Sequence, residues 1–180
     1  IGHDVLAANQ SGSQNTGLGF EALASNVSGL GNVGVGDGAL SFSDVGSNNV
    51  AVGSEALLNN TGVGDNVAIG TNALKANTTG QSNVAVGHRA LDANTTALGQ
   101  DSLGSNTTGA DNTAVGHSAL KLNVGGTANV AVGNNALQNN TGSSNTAVGH
   151  AALNQNTSGA QNIAMGRGAL TSNTTASNNL

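Results

Sequence analysis

The chain has no cysteine, proline, tryptophan or tyrosine, and only two of its 180 residues are phenylalanine. Without cysteine there is neither a disulfide framework nor a thiolate metal site. Without aromatics, the usual source of large buried area and unique packing is missing; the apolar residues are almost all Ala, Val and Leu. Charge is scarce as well, at 7% of residues against about a quarter in ordinary domains. The four cations, Lys75, Arg89, Lys121 and Arg167, are scattered and the net charge is −5. Nucleic acid is therefore not an expected partner, because phosphate binding needs clustered Lys and Arg. No apolar run reaches the roughly 18 residues of a transmembrane helix, so no membrane insertion by this segment is expected. Nor does a basic start followed by an apolar stretch mark a signal peptide. Low charge does not make the chain a disordered one, since that class pairs low hydrophobicity with high net charge, and here 37% of residues are hydrophobic.

What is present is a repeat. Aligned on the glycine of segments such as Asn83-Val84-Ala85-Val86-Gly87, the chain shows Gly2, Gly19, Gly36, Gly53, Gly70, Gly87, Gly99, Gly116, Gly133, Gly149 and Gly166, nearly always 17 residues apart. The coil reads N-[VT]-A-V-G-x-x-A-L-x-x-N-T-T-G-x-x, numbered below as positions 1 to 17. Position 5 is always Gly. Position 9 is always Leu: Leu6, Leu23, Leu40, Leu57, Leu74, Leu91, Leu103, Leu120, Leu137, Leu153 and Leu170. Position 12 is Asn except at Ser43, and positions 6, 7, 10 and 11 vary freely. Fixed and free positions separate in this way when equivalent residues stack and share one environment. The coil from Asn83 stops at Asn94, five residues short, and the coil from Asn129 lacks one residue in the same place. Positions 13 to 17 thus read as a loop whose removal leaves the stacked part intact.

Positions 1 to 4 favour a strand through their β-branched residues. Gly at position 5 lets the backbone turn, Ala-Leu at positions 8 and 9 reads as a second short strand, and Asn-Thr-Thr-Gly makes a second corner. Glycine and asparagine recur too often for a helix. The expected fold is all-β: a parallel β-solenoid of about eleven 17-residue coils forming one domain over residues 1–180, with a core ladder of Leu at position 9 and a column of turn glycines. Asn at positions 1 and 12 is expected to cap turns and to hydrogen-bond up the stack. Alternation along a strand places positions 2 and 4 opposite position 3. The expected arrangement has positions 4 and 9 inside each coil and the small Ala face packing against another backbone. One Val and one Leu per coil make a thin core, so the alanine faces are expected to meet in a homo-oligomer, most simply a homotrimer. The chain starts mid-repeat and is expected to be a fragment of something longer.

The stretches Asn66-Val67-Ala68-Ile69-Gly70, Asn83-Val84-Ala85-Val86-Gly87 and Asn162-Ile163-Ala164-Met165-Gly166 resemble the S-V-A-I-G strand of the head repeats of trimeric autotransporter adhesins. The resemblance covers essentially the whole chain. It implies a left-handed parallel β-roll, three chains side by side, projecting from a cell surface; related repeats in phage tail fibres extend this to a virion surface. The family's commonest coil is shorter, so the Asn-Thr-Thr-Gly segment reads as an added loop.

Chemistry is sparse. His3, His88, His117 and His150 share position 6 with Phe20, Asp37, Gln100 and Arg167, a mixture that marks an exposed position. The last three histidines are two coils apart, about 9.6 Å, which is too far for one ion with ligands near 2 Å. No carboxylate pair recurs. The Asp37 and Asp65 segments lack the period of a calcium repeat, and no catalytic motif is present. No catalytic residue, metal or cofactor is expected, and the chain is not expected to be an enzyme. Sequons at Asn9, Asn26, Asn59, Asn77, Asn94, Asn106, Asn139, Asn156 and Asn173 follow from the corner sequence. The expected function is a structural fibre or attachment module of an extracellular adhesin or phage fibre, meeting a host protein or glycan through weak multivalent contacts. Thr pairs such as Thr78-Thr79, Thr107-Thr108 and Thr174-Thr175 keep a solute-binding solenoid, for ice or carbohydrate, as the alternative.

Overall fold

The computed structural model describes residues 1–62, 64–78, 80–90 and 96–180. The chain is an all-β parallel β-solenoid with no helix among the described residues. It divides into two compact units, Ile1–Arg89 and Ala90–Leu180. In the first, β1 (Thr16–Leu18), β2 (Val33–Val35), β3 (Val50–Val52), β4 (Val67–Ile69) and β5 (Val84–Val86) pair in sequence order, parallel and in register. In the second, β6 (Thr96–Leu98), β7 (Thr113–Val115), β8 (Val130–Val132), β9 (Thr146–Val148) and β10 (Ile163–Met165) do the same. Every strand is three residues long and occupies positions 2 to 4.

The strands face the other way from the sequence expectation. The central Ala is the inward residue: Ala51, Ala68, Ala85, Ala97, Ala114, Ala131 and Ala147 are 0% exposed. Positions 2 and 4 stand outside, half-buried or exposed. The reason is room. At Gly34, which occupies position 3, an added Cβ would lie 3.2 Å from the Leu23 side chain and 3.2 Å from the Ala39 carbonyl oxygen. Even a Cβ makes tight contact there, so the larger Val side chains take the outward positions. The alanine faces are sealed within each coil and are not available to meet another chain.

The second strand expected at Ala-Leu is instead a run of turns. Within the coil of Gly36, the N–H groups of Ala39, Ser41 and Ser43 donate to the carbonyls of Gly36, Gly38 and Leu40, three residues back. The alternate N–H groups of Gly38, Leu40 and Phe42 reach the neighbouring coils at Phe20, Ala56 and Leu58. The first two of these turns have positive φ at their third residue, Gly38 (65°) and Leu40 (55°), as a type II turn requires. Position 7 supplies it, as at Glu21 (51°) and Asp101 (55°), and so does Leu at position 9, with φ of 49° to 57° throughout the described coils. A left-handed residue breaks strand alternation, so the neighbours Ala and Leu both point inward rather than diverging. Leu23, Leu40, Leu57, Leu74, Leu103, Leu120, Leu137 and Leu153 are 0% exposed. Leu170, in the last coil, is half-buried, and Leu91 lies outside the described residues. Holding a Leu left-handed costs about 1–2 kcal/mol. Burying its side chain returns about 1.5–3 kcal/mol, so the conformation is tolerated.

The glycines at position 5 have two independent reasons to be glycine. Gly116 has φ of 132°, and a Cβ on it would lie 2.6 Å from the Gly133 carbonyl oxygen of the next coil. The last of the column, Gly166, keeps a similar φ of 119° but has nothing within 4 Å of that Cβ. Gly116→Ala is therefore expected to destabilise by about 2–6 kcal/mol, combining strain and overlap. Gly166→Ala should lose only the strain component, about 1–3 kcal/mol. Urea unfolding of the two variants, side by side, checks the difference.

Candidate functional surface

The polar interior consists of two asparagine ladders. At position 1, Asn49, Asn66 and Asn83 receive the preceding Asn Oδ1 on their backbone N–H at 2.9, 3.1 and 3.0 Å, and their Nδ2 groups donate to the same oxygens. At position 12, Asn77 Nδ2 donates to Asn60 Oδ1 and Asn123 Nδ2 to Asn106 Oδ1, each at 3.0 Å. Both ladders converge on the position-15 carbonyl. Asn66 and Asn77 donate to Gly80 O, and Asn145 and Asn156 to Gly159 O. A Cβ on Gly159 would lie 2.4 Å from Asn156 Oδ1 and 2.3 Å from the Ala176 carbonyl oxygen. Position 15 is thus a second glycine column, which the repeat displayed without its reason being evident. It is broken at Val63, which lies outside the described residues, and at Ala176 in the last coil.

The corner tolerates a length change. Across the 16-residue step the register Val130↔Thr146 is kept, Asn145 N–H still reaches Asn129 Oδ1 at 2.9 Å, and Asn140 Nδ2 finds Gly142 O at 2.7 Å. The five-residue shortening that ends at Asn94 lies outside the described residues.

These ladders occupy four of the sequon asparagines, while Asn9 is exposed and Asn173 half-buried. Asn26, Asn77, Asn106 and Asn156 are at most 1% exposed, and their Nδ2 atoms, the ones a glycan would occupy, already donate to the position-15 carbonyl. Asn59 and Asn139 are half-buried, and Asn94 lies outside the described residues. The threonine hydroxyls at position 13 are engaged likewise: Thr107, Thr141 and Thr157 donate to the carbonyls of Val124, Thr157 and Thr174 in the next coil. Thr79 lies outside the described residues.

The four histidines are exposed. His3 stacks on Phe20, ring centroids 5.7 Å apart, and its Nδ1 lies 2.9 Å from Asp4 Oδ2. Two ion pairs join position 10 of one coil to position 7 of the coil before, Lys75–Glu55 at 2.5 Å and Lys121–Asp101 at 3.3 Å. Being part-exposed, such pairs contribute about 0–1 kcal/mol each. Positions 7 and 10, though they vary freely, are thus largely half-buried tethers between coils, with Gly38, Ser41 and Ser118 buried; position 6 is almost everywhere exposed. Among the described residues no group of three or more His, Asp or Glu could hold a metal ion, and no helix is long and apolar enough to cross a membrane.

The surface that stands out is the outward side of the strands. The first unit shows two columns, Thr16, Val33, Val50, Val67 and Val84 beside Leu18, Val35, Val52, Ile69 and Val86. The second shows Thr96, Thr113, Val130, Thr146 and Ile163 beside Leu98, Val115, Val132, Val148 and Met165. None of these residues is charged. Five strands about 4.8 Å apart and three residues long cover about 240 Å² in each unit, below the roughly 300–600 Å² of the largest apolar patch on a typical monomer.

No family model, curated protein or solved structure matches the chain. What the surface does is therefore argued from its own chemistry.

The ladders carry a stability prediction. Asn140 serves four hydrogen bonds, two given (to Asn123 Oδ1 and Gly142 O) and two received (from Asn145 and Asn156 Nδ2). Asn140→Ala strands buried partners at about 1–3 kcal/mol each. It should therefore destabilise more than Asn173→Ala in the last, partly exposed coil; guanidinium unfolding measures both.

Proposed function

We propose that the chain is a structural fibre and attachment module of an extracellular adhesin or phage tail fibre. It would be a left-handed β-roll of about eleven 17-residue coils that associates with copies of itself as a homotrimer. The observation that carries this reading is the outward face of the strands. Every residue of both columns is Val, Ile, Leu, Met or Thr, which suits burial against an equally flat, uncharged face. The resemblance to trimeric autotransporter heads supplies the number three and the handedness. The partner face differs from the one read from the sequence: the outward Val, Ile, Leu and Thr columns meet, while the alanines fill the coil interior.

In this reading the mechanism is geometric. Backbone and asparagine ladders hold each coil to the next, and the variable surface positions carry whatever weak, repeated contacts the fibre makes with a host protein or glycan. With no Trp or Tyr and only two Arg, the module lacks the usual anchors of tight interfaces, so it serves as a spacer or a multivalent surface. No catalysis, metal or cofactor is assigned to it.

One observation favours a second reading. Thr16, Thr96, Thr113 and Thr146 stand outward on a flat parallel sheet, a surface that suits an ordered solute such as ice or carbohydrate. Only four of the ten position-2 residues are Thr, and the position-13 hydroxyls of Thr61, Thr107, Thr141 and Thr157 are spent between coils, so the fibre reading is preferred.

Sedimentation analysis of the folded chain is expected to return three times the chain mass. Val52→Asp and Val130→Asp, one in each unit, should lower that mass while leaving the far-ultraviolet circular dichroism unchanged. A parent chain that is monomeric and fully folded would sink the homotrimer. Thermal hysteresis or glycan-array binding by that monomer would move the assignment to the solute-binding reading.

A further inference from the structure

Among the described residues the position-12 ladder is interrupted once, at Ser43. In six coils, those of Asn26, Asn77, Asn123, Asn140, Asn156 and Asn173, the Nδ2 of position 12 performs two tasks: it donates to the Oδ1 of the Asn one coil back and to the position-15 carbonyl of its own coil. Asn77, for example, serves Asn60 and Gly80, and Asn123 serves Asn106 and Gly126. A serine hydroxymethyl is too short for both. The consequence is visible in two atoms. Asn26 Oδ1 and Ser43 Oγ have no hydrogen-bond partner, although both residues are 0% exposed. Asn26 Oδ1 is the acceptor that an asparagine at position 43 would satisfy. Buried polar groups left in this way cost about 1–3 kcal/mol each, so a partner is strongly favoured.

We infer that this step binds one internal water molecule, held by Asn26 Oδ1, Ser43 Oγ and the Gly46 carbonyl. The water donates to Asn26 Oδ1 and to Gly46 O, the two acceptors that an Asn amide would serve, and accepts a hydrogen bond from the Ser43 hydroxyl on its own oxygen. Three partners is the usual number for a buried water. The atoms by which an asparagine outreaches a serine occupy about the room of one water, whose share of the liquid is about 30 Å³. The corresponding carbonyl accepts two side-chain donors in the asparagine coils, whereas Gly46 O is given only the Asn32 Nδ2, at 2.7 Å. The inference is independent of the fibre reading, because the step lies inside a single coil stack.

The experiment is a crystal structure of the chain at atomic resolution, with water-to-protein nuclear Overhauser spectra of the same sample. Density is expected within hydrogen-bond distance of both Asn26 Oδ1 and Ser43 Oγ, with a cross-peak from long-lived water to the Asn26 side-chain amide. Ser43→Asn restores the residue found at this position in the neighbouring coils, so the variant folds; it should lose both the density and the cross-peak. Absent density, a Ser43 hydroxyl bonded directly to Asn26 Oδ1, or a cross-peak that persists in Ser43→Asn would each overturn the assignment.

Discussion

Neighbouring coils hydrogen-bond so closely that, at two points of the turn, a Cβ cannot stand between them. At position 5 the space above the α-carbon belongs to the next coil's glycine carbonyl, 2.5 Å from the would-be Cβ at Gly36 and Gly70. At position 15 it belongs to the next coil's carbonyl and to the side-chain oxygen of the coil's own position-12 asparagine, as at Gly109 and Gly159. This close approach lets the strands within each unit pair in register and lets asparagine side chains span from coil to coil. It also explains why glycine recurs at both positions.

Inside that constraint the coil interior is narrow, and its contents follow. Position 3 has space for a methyl group, and Ala fills it. The larger apolar group comes from the turn side, where Leu is held left-handed so that it and the preceding Ala both face inward. Bulky residues avoid positive φ elsewhere. Here the turn hydrogen bonds and the buried side chain outweigh the strain, and the same choice recurs coil after coil. One Leu and two Ala are little apolar area for 17 residues, so the satisfied asparagine ladders carry an unusual share of specificity. A residue such as Ser43 shows how local that dependence is: shortening one side chain leaves two buried atoms to be satisfied another way.

The period, the parallel stack and the role of asparagine were legible in the sequence because they depend only on equivalent residues lying one coil apart. The asparagine columns in particular follow from side-chain chemistry that repetition places in contact. Which side of the strand faces in was not legible. Size argues for Val inside and Ala outside, and that argument fails because the volume available at Gly34 is set by Leu23 and the Ala39 carbonyl, neighbours that the pattern of one coil does not reveal. The Ala-Leu segment misleads for a related reason. Alternation holds only for extended backbone, and nothing in the residue type Leu announces a φ near +50°. The second glycine column was visible as letters, but its cause lies in two asparagines that meet at one carbonyl.

The inversion of the strands changes what the outer surface means. Twenty outward positions at the chain's overall charge frequency of 7% would hold about one charged residue, so their lack of charge decides nothing. Their identity decides more. All are Val, Ile, Leu, Met or Thr, although positions 6 and 11, equally free of the interior, accept His, Asp, Gln, Ser, Asn and Phe. A surface facing only water has no reason to reject Ser, Asn or Gln in a chain so rich in them. β-branched residues do favour strands, which accounts for Val and Thr at position 2. It does not account for position 4, where Leu18, Leu98 and Met165 replace Val without any polar residue entering. What these residues share is apolarity rather than strand propensity, and that shared apolarity is the observation on which the proposed self-association rests.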